Sequence, residues 1–165
     1  MTYSQRTSKF SARIFPEGGL FDTKGSVVFA PNVQNALAPD DELIATCLVL
    51  NTSLAQFFFD LSAGASHEGK ARDYSQGKVG RLPVSEDIIT TIAPLIEEAR
   101  AVFGEIVQLQ NLDPTSVYYC GLSPKRLHRT DALDEIVTEA ALLQQRLISL
   151  LDQATEFYGN SIGLS

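Results

Sequence analysis

Two hydrophobic seams in the second half of the chain constrain its fold more than any other feature. After Pro83, the residues Ile88, Ile92, Leu95, Ala99, Val102, Ile106 and Leu109 recur at alternating steps of four and three. Leu133, Ile136, Ala140, Leu143, Leu147, Leu150, Ala154 and Phe157 repeat the same alternation. A hydrophobic period of about 3.5 residues is the pattern of helices packed side by side along a narrow stripe. At about 1.5 Å per residue, each seam makes a helix roughly 30–40 Å long. Pro94 should kink the first helix or restart it. Thr130-Asp131 should cap the second, and Gly159 should stop it. The connector Asn111–Arg129 contains Pro114 and Pro124 and can reverse the chain, so an antiparallel pair is the simplest packing. Ile89, Ile96, Val137, Leu142 and Leu151 are apolar but lie off the seams, which asks for further packing.

The first half reads differently. Phe10-Ser11-Ala12-Arg13-Ile14-Phe15 alternates apolar and polar, as a half-buried strand does, and Pro16-Glu17-Gly18-Gly19 ends it. Ser26–Ala30 is a second strand, after the Lys24-Gly25 turn. Pro39-Asp40-Asp41-Glu42 opens a helix with acidic residues at the positive end of its dipole. That helix should run to Leu50, with Asn51-Thr52-Ser53 ending it and capping a second, Leu54–Leu61. Residues 62–76 are loop-like, and Lys78–Leu82 reads as a short strand closed by Pro83. The expectation is an α+β fold: a small mixed recognition-like domain over 1–84, then two long antiparallel heptad-patterned helices over 85–165 forming a hairpin or spacer.

The net charge of −7 is carried by residues 83–165, which hold five basic and twelve acidic residues against eight of each in residues 1–82. Bulk charge therefore disfavours non-specific polyanion binding, and any contact with a polyanion belongs to the first half. No apolar run reaches the ~18 residues a membrane helix needs, and the polar start Met1-Thr2-Tyr3-Ser4-Gln5-Arg6 lacks a signal-peptide core. Cys47 and Cys120 have no metal-ligand spacing, so free thiols in a reducing cytoplasm are expected. Catalytic patterns are missing. There is no phosphate-cradling glycine loop and no nucleophile elbow, and His67 and His128 lie far apart without ligand partners. His67-Glu68 on a loop offers an adjacent acid–base pair, and it reads as exposed loop polarity. The chain by itself is expected not to be an enzyme.

One constellation stands out. The stretch Ser66–Arg81 carries His67, Lys70, Arg72, Tyr74, Gln76, Lys78 and Arg81 against Glu68 and Asp73. Cations with an aromatic and an amide on one loop suit phosphate contact combined with base-edge readout. The opposing reading is a solvated loop with ordinary charges. Arg6, Lys9, Arg13 and Lys24 offer a second basic edge. The candidate DNA-binding set is Lys70, Arg72, Tyr74, Gln76, Lys78, Arg81, Lys24 and Arg13; Tyr74 can instead anchor the loop to the core.

The run Tyr74-Ser75-Gln76-Gly77-Lys78-Val79-Gly80-Arg81-Leu82-Pro83-Val84 resembles a Tyr-x-x-Gly-x-Val/Ile-x-Arg/Lys-Leu-Pro segment. That segment belongs to the large N6-adenine DNA methyltransferases of the BREX-type phage-defence and TaqI-like kind. Leu50-Asn51-Thr52 followed by Gln56-Phe57-Phe58 is similar to the helix pair preceding that segment. Phe15-Pro16-Glu17-Gly18 and Lys24-Gly25-Ser26-Val27-Val28-Phe29 resemble the strands that open the region. Phe157-Tyr158-Gly159 looks like its closing helix. The resemblance implies a region C-terminal to a catalytic domain that contributes target recognition. The family's Asn-Pro-Pro-Tyr motif and its S-adenosylmethionine loop are absent. The implied function is thus a non-catalytic specificity module of a restriction or phage-defence system. It binds no cofactor itself, contacts double-stranded DNA, and works with a methyltransferase catalytic domain or subunit in the cytoplasm. The helices would serve as a spacer about one turn of duplex long, roughly 34–36 Å. The competing expectation is a protein–protein docking or homodimerisation module that never touches DNA.

Overall fold

A break between two helices organises the first half of the chain. In the computed structural model, which describes residues 1–15, 25–29, 37–63, 72–110 and 131–164 (side chains of 131–133 excepted), the chain opens with four short strands. These are β1 (Thr2–Ser4), β2 (Arg6–Thr7), β3 (Ala12–Arg13) and β4 (Gly25–Val27). Then come α1 (Pro39–Asn51) and α2 (Ser53–Ala63), meeting at 64°. Thr52 makes the break. Its backbone is extended, its hydroxyl donates to the Val49 carbonyl at 2.6 Å, and the same oxygen accepts from the Ala55 amide at 3.1 Å. One buried side chain thereby terminates α1 and caps α2, as the Asn51-Thr52-Ser53 cluster implied. Pro39 and the acidic Asp40, Asp41 and Glu42 occupy the first turn of α1 as expected.

Antiparallel pairing joins the strands into a three-stranded sheet of order β3-β1-β4, with Tyr3 opposite Ala12 on one side and Ser26 on the other. A separate two-stranded ribbon pairs β2 with β5 (Arg72–Asp73), setting Arg6 opposite Asp73 and Thr7 opposite Arg72. The Tyr74 amide extends this ribbon by donating to the Gln5 carbonyl at 2.7 Å. Beneath lies an aromatic cluster centred on Phe10, whose ring centroid is 5.1 Å from Tyr3, 4.5 Å from Phe59 and 5.3 Å from Tyr74. Tilted and edge-on rings of this kind bury large area and add specific ring–ring attraction. Ile44, Ala45, Cys47, Leu48, Val49 and Leu50 of α1 complete the core.

The strand expected over Lys78–Leu82 is not formed. Residues Gln76–Val79 make a single helical turn, α3, with the Lys78 and Val79 amides donating to the Ser75 carbonyl and Gly80 to Gln76. Val79 and Leu82 are three residues apart, a spacing met by a helical turn and not by a strand, and Gly77 and Gly80 have little strand preference. After Pro83 come α4 (Glu86–Ile92), a 3₁₀ turn (Ala93–Leu95), α5 (Ile96–Gln110) and α6 (Asp131–Ser161). Pro94 sits within the 3₁₀ turn and restarts the helix, as its missing amide requires. Ser85 caps α4 by accepting from the Ile88 amide.

The architecture is α+β with a helix-rich C-terminal half. The chain forms two compact units, Met1–Ile96 with Leu151–Ser165, and Glu97–Leu150. The first seam is buried at Ile88, Ile92, Leu95, Ala99 and Val102 and half-buried at Ile106 and Leu109. Its opening part packs on α1 in the first unit, since α4 and the 3₁₀ turn both contact that helix. In the second unit Leu143 and Leu150 are buried, and Arg146 donates to both carboxylate oxygens of Glu105 at 2.8 and 2.7 Å. The bonds and charge of Glu105, with the field of Glu98, hold the Arg146 guanidinium above its ordinary pKa.

Gly159 does not stop α6. The helix continues to Ser161, and Gly163 at φ 79° ends it: the Leu164 amide reaches the Gly159 carbonyl at 2.9 Å and the Gly163 amide reaches Asn160 at 3.2 Å. That pair of bonds is a Schellman closure, which requires the left-handed backbone glycine tolerates. Gly159 instead permits a close approach, because a Cβ there would meet the Leu164 carbonyl at 3.3 Å. The turn at 16–19, the loop carrying His67, the connector 111–129 with Cys120 and His128, and Thr130 lie outside the described residues.

Candidate nucleic-acid interface

The segment 72–81 and the ribbon beneath it carry four of the basic residues singled out in the sequence: Arg6, Arg72, Lys78 and Arg81. Arg72 and Asp73 form β5, Gln76 and Lys78 lie on α3, and Arg81 follows directly. Arg6, on the facing strand, is directly across from Asp73, so the two side chains leave the same face of the ribbon. Gln76 and Arg81 are exposed. Arg13 is also exposed, but it belongs to the other sheet, at the β3 edge. Lys24 and Lys70 lie outside the described residues.

Tyr74 takes the anchoring position. Only 1% of it is exposed, and its ring packs edge-on against Phe10 and Phe59, so it is not available to stack on a base. Its hydroxyl has no hydrogen-bond partner among the described residues. Burial of this ring pins the basic turn to the core.

Two cations are already engaged. Arg72 forms an ion pair with Asp60 of α2, and Lys78 Nζ donates to the Asp73 carbonyl at 2.9 Å while lying 3.5 Å from its Oδ2. Asp60 belongs to a chain of contacts: Gln56 Nε2 donates to its Oδ1 at 2.7 Å, and Gln56 Oε1 accepts from the Phe10 amide at 3.0 Å. Arg13, Arg81, Arg6 and Lys9 have no carboxylate partner among the described residues.

A second polar clamp sets the β3 edge. The Asn51 amide receives the Ala12 N–H at 3.0 Å and donates to the Ala12 carbonyl at 2.9 Å and to the Cys47 carbonyl at 2.8 Å. A side chain thus pairs with an edge strand as a neighbouring strand would, satisfying both backbone groups next to Arg13. Sequence reasoning assigned Asn51 only a part in ending a helix and Gln56 only a place in the resembling helix pair, and it singled out no role for Asp60. The available signal was two amides, at positions 51 and 56, set among apolar residues of a helix pair. Their partners at positions 10 and 12 are too far away in sequence to name.

Cys47 is held as a protonated thiol in the core. It is buried, and burial pushes its thiol up to about 12 from 9.0, against an opposing hydrogen bond from Asn51. Tyr158 is likewise pushed up to about 12 by burial. Among the described residues no group of three His, Cys, Asp or Glu could hold a metal ion. No single helix there is long and apolar enough to cross a membrane. No family model matches the chain, and neither a curated protein nor a solved structure matches it.

Proposed function

We propose that this chain is a non-catalytic DNA target-recognition module that works beside an N6-adenine methyltransferase-like catalytic domain or subunit, in a cytoplasmic restriction or phage-defence system. The observation that carries the reading is the ribbon-and-turn element. Arg6, Arg72, Lys78 and Arg81, with the exposed amide of Gln76, sit on one short stretch pinned to a rigid aromatic core by Tyr74. A two-stranded ribbon fits a major groove about 12 Å wide, and a glutamine amide can pair with both adenine N6 and N7. Cations on such an element register the phosphates, while Gln76 reads a base edge. S-adenosylmethionine and the methyl transfer belong to the partner, with α5 and α6 acting as spacer.

The test is a fluorescence-anisotropy titration with labelled duplex across a salt series. Arg81→Gln and Arg13→Gln should each weaken binding and reduce the salt slope by about one phosphate contact. Unchanged affinity in both variants would remove the DNA reading.

A second reading, docking or homodimerisation through the helices, draws support from one specific feature. In the second unit α6 leaves Val137 67% exposed, Leu142 59% and Ile148 52%. Val137 and Ile148 are eleven residues apart, on one side of the helix. Light scattering on the purified chain separates the two. A dimer that Val137→Ser with Ile148→Ser converts to monomer, and that ignores duplex, supports docking.

A further inference from the structure

We infer that Asp60 and Asp73 are built-in competitors of the DNA phosphates, setting how much of the basic ribbon is available to a duplex. This rests on the DNA-recognition reading above and concerns the regulation of that same surface.

Two of the cations that should meet phosphate are held by carboxylates of the same chain. Arg72, with its side chain 24% exposed, pairs with Asp60; Lys78 binds Asp73 through both the carboxylate and the carbonyl. Neither carboxylate is buried, since Asp60 is 44% and Asp73 55% exposed at the side chain. Exposed pairs of this kind are weak, so a phosphate can replace the carboxylate at little net cost. Until it does, the pair has almost no net charge to offer at a distance. Asp73 also lies directly opposite Arg6, so one carboxylate subtracts from two cations on the same face. Asp60 has a reason to persist beyond its charge, because it also accepts from Gln56, which holds the Phe10 backbone.

The consequence is selectivity. Arg13 and Arg81, which lack carboxylate partners among the described residues, make first contact. Arg72 and Lys78 join only where duplex geometry brings a phosphate close enough to displace Asp60 or Asp73. Removing the carboxylates should then make binding tighter, more salt-sensitive and less discriminating.

The experiment uses the whole chain and a fluorescein-labelled duplex of about one helical turn or longer, titrated by anisotropy between low and moderate KCl. Asp60→Asn preserves the acceptor for Gln56, and Asp73→Asn preserves the shape of the ribbon. Each should tighten binding about two- to fivefold, the upper figure being the roughly 1 kcal/mol an exposed pair contributes. Each should also steepen the slope of log K against log salt by about 0.9. Arg72→Gln added to Asp60→Asn should cancel that gain, while Glu156→Gln, an exposed carboxylate on α6 outside both ion pairs, should leave the slope unchanged.

If both Asp→Asn variants match the wild type while Arg81→Gln weakens binding, the competitor role is wrong and the DNA reading stands. An equal gain from Glu156→Gln traces the effect to net charge and also overturns the proposal. Duplex binding by none of the proteins removes both. Should Asp60→Asn lower the thermal midpoint, Asp73→Asn, which lies outside the Gln56 contacts, still decides.

Discussion

Replacing Asn51 with alanine removes three hydrogen bonds at once, and the structure says where the cost falls. The amide serves the Ala12 N–H, the Ala12 carbonyl and the Cys47 carbonyl, at 3.0, 2.9 and 2.8 Å. The two Ala12 groups lie on the edge strand β3, and Ala12 is itself buried, so water does not replace the side chain freely. Each such bond contributes about 0.5–1.5 kcal/mol net, and stranding a buried partner costs about 1–3 kcal/mol. Asn51→Ala should therefore destabilise the first unit by roughly 2–4 kcal/mol, well above the ordinary loss at a half-exposed helix end. Urea unfolding followed by far-ultraviolet circular dichroism measures the loss. Amide hydrogen exchange at Ala12 locates it, because that N–H should lose protection in the native state before the α1 core does. Asn51→Asp sharpens the argument. It keeps the acceptor for Ala12 but sets a carboxylate against two carbonyls, so it should be at least as damaging as alanine near neutral pH. A variant within 0.5 kcal/mol of wild type (roughly the scatter of neutral surface changes), with Ala12 still protected, would refute the clamp.

Alkaline stability tests the buried thiol. Since the folded-state pKa of Cys47 is raised from 9.0 to about 12, the unfolded chain loses this proton first. Stability is then full below pH 9 and falls as the pH rises towards 12, by up to about 1.4 kcal/mol per unit. Cys47→Ala should flatten this limb in denaturant midpoints taken from pH 8 to 11, leaving above pH 10 the decline of like sign from Tyr158, which is raised from 10.0 to about 12. Gly163→Ala forces an L-residue to φ 79° where nothing crowds a Cβ, so the cost is purely conformational. About 1–2 kcal/mol is expected in urea unfolding, and a neutral outcome would contradict the Schellman closure. Leu143→Ser, at a buried seam position, should lose a few kcal/mol, whereas the same change at the exposed Leu142 should not; equal effects would mean the heptad register is wrong.

Local rules carried the helices. Heptad spacing, the proline at 94, the acidic first turn after Pro39 and the Asn51-Thr52-Ser53 break are all signals whose causes lie within a few residues, and each element formed where expected. The same rules failed at Lys78–Leu82, where five residues with two nearby glycines carry too little periodicity to separate a strand from a turn of helix. They also placed the end of α6 at the wrong glycine. Gly159 and Gly163 both fit a C-terminal stop by residue type, and only backbone closure chooses between them.

What the sequence by itself determined is the α+β class with a helix-rich second half, and a basic segment in an otherwise acidic chain. Tertiary structure alone decided which of those basic residues are available. Tyr74 goes inward because Phe10 and Phe59, far away in the chain, build the cluster that receives it. Arg72 is engaged because α2 brings Asp60 to β5, and Arg13 is displayed because Asn51 holds the strand beside it. A side chain's charge is written in its residue type. Its availability depends on partners tens of residues distant, which no spacing rule along the chain encodes.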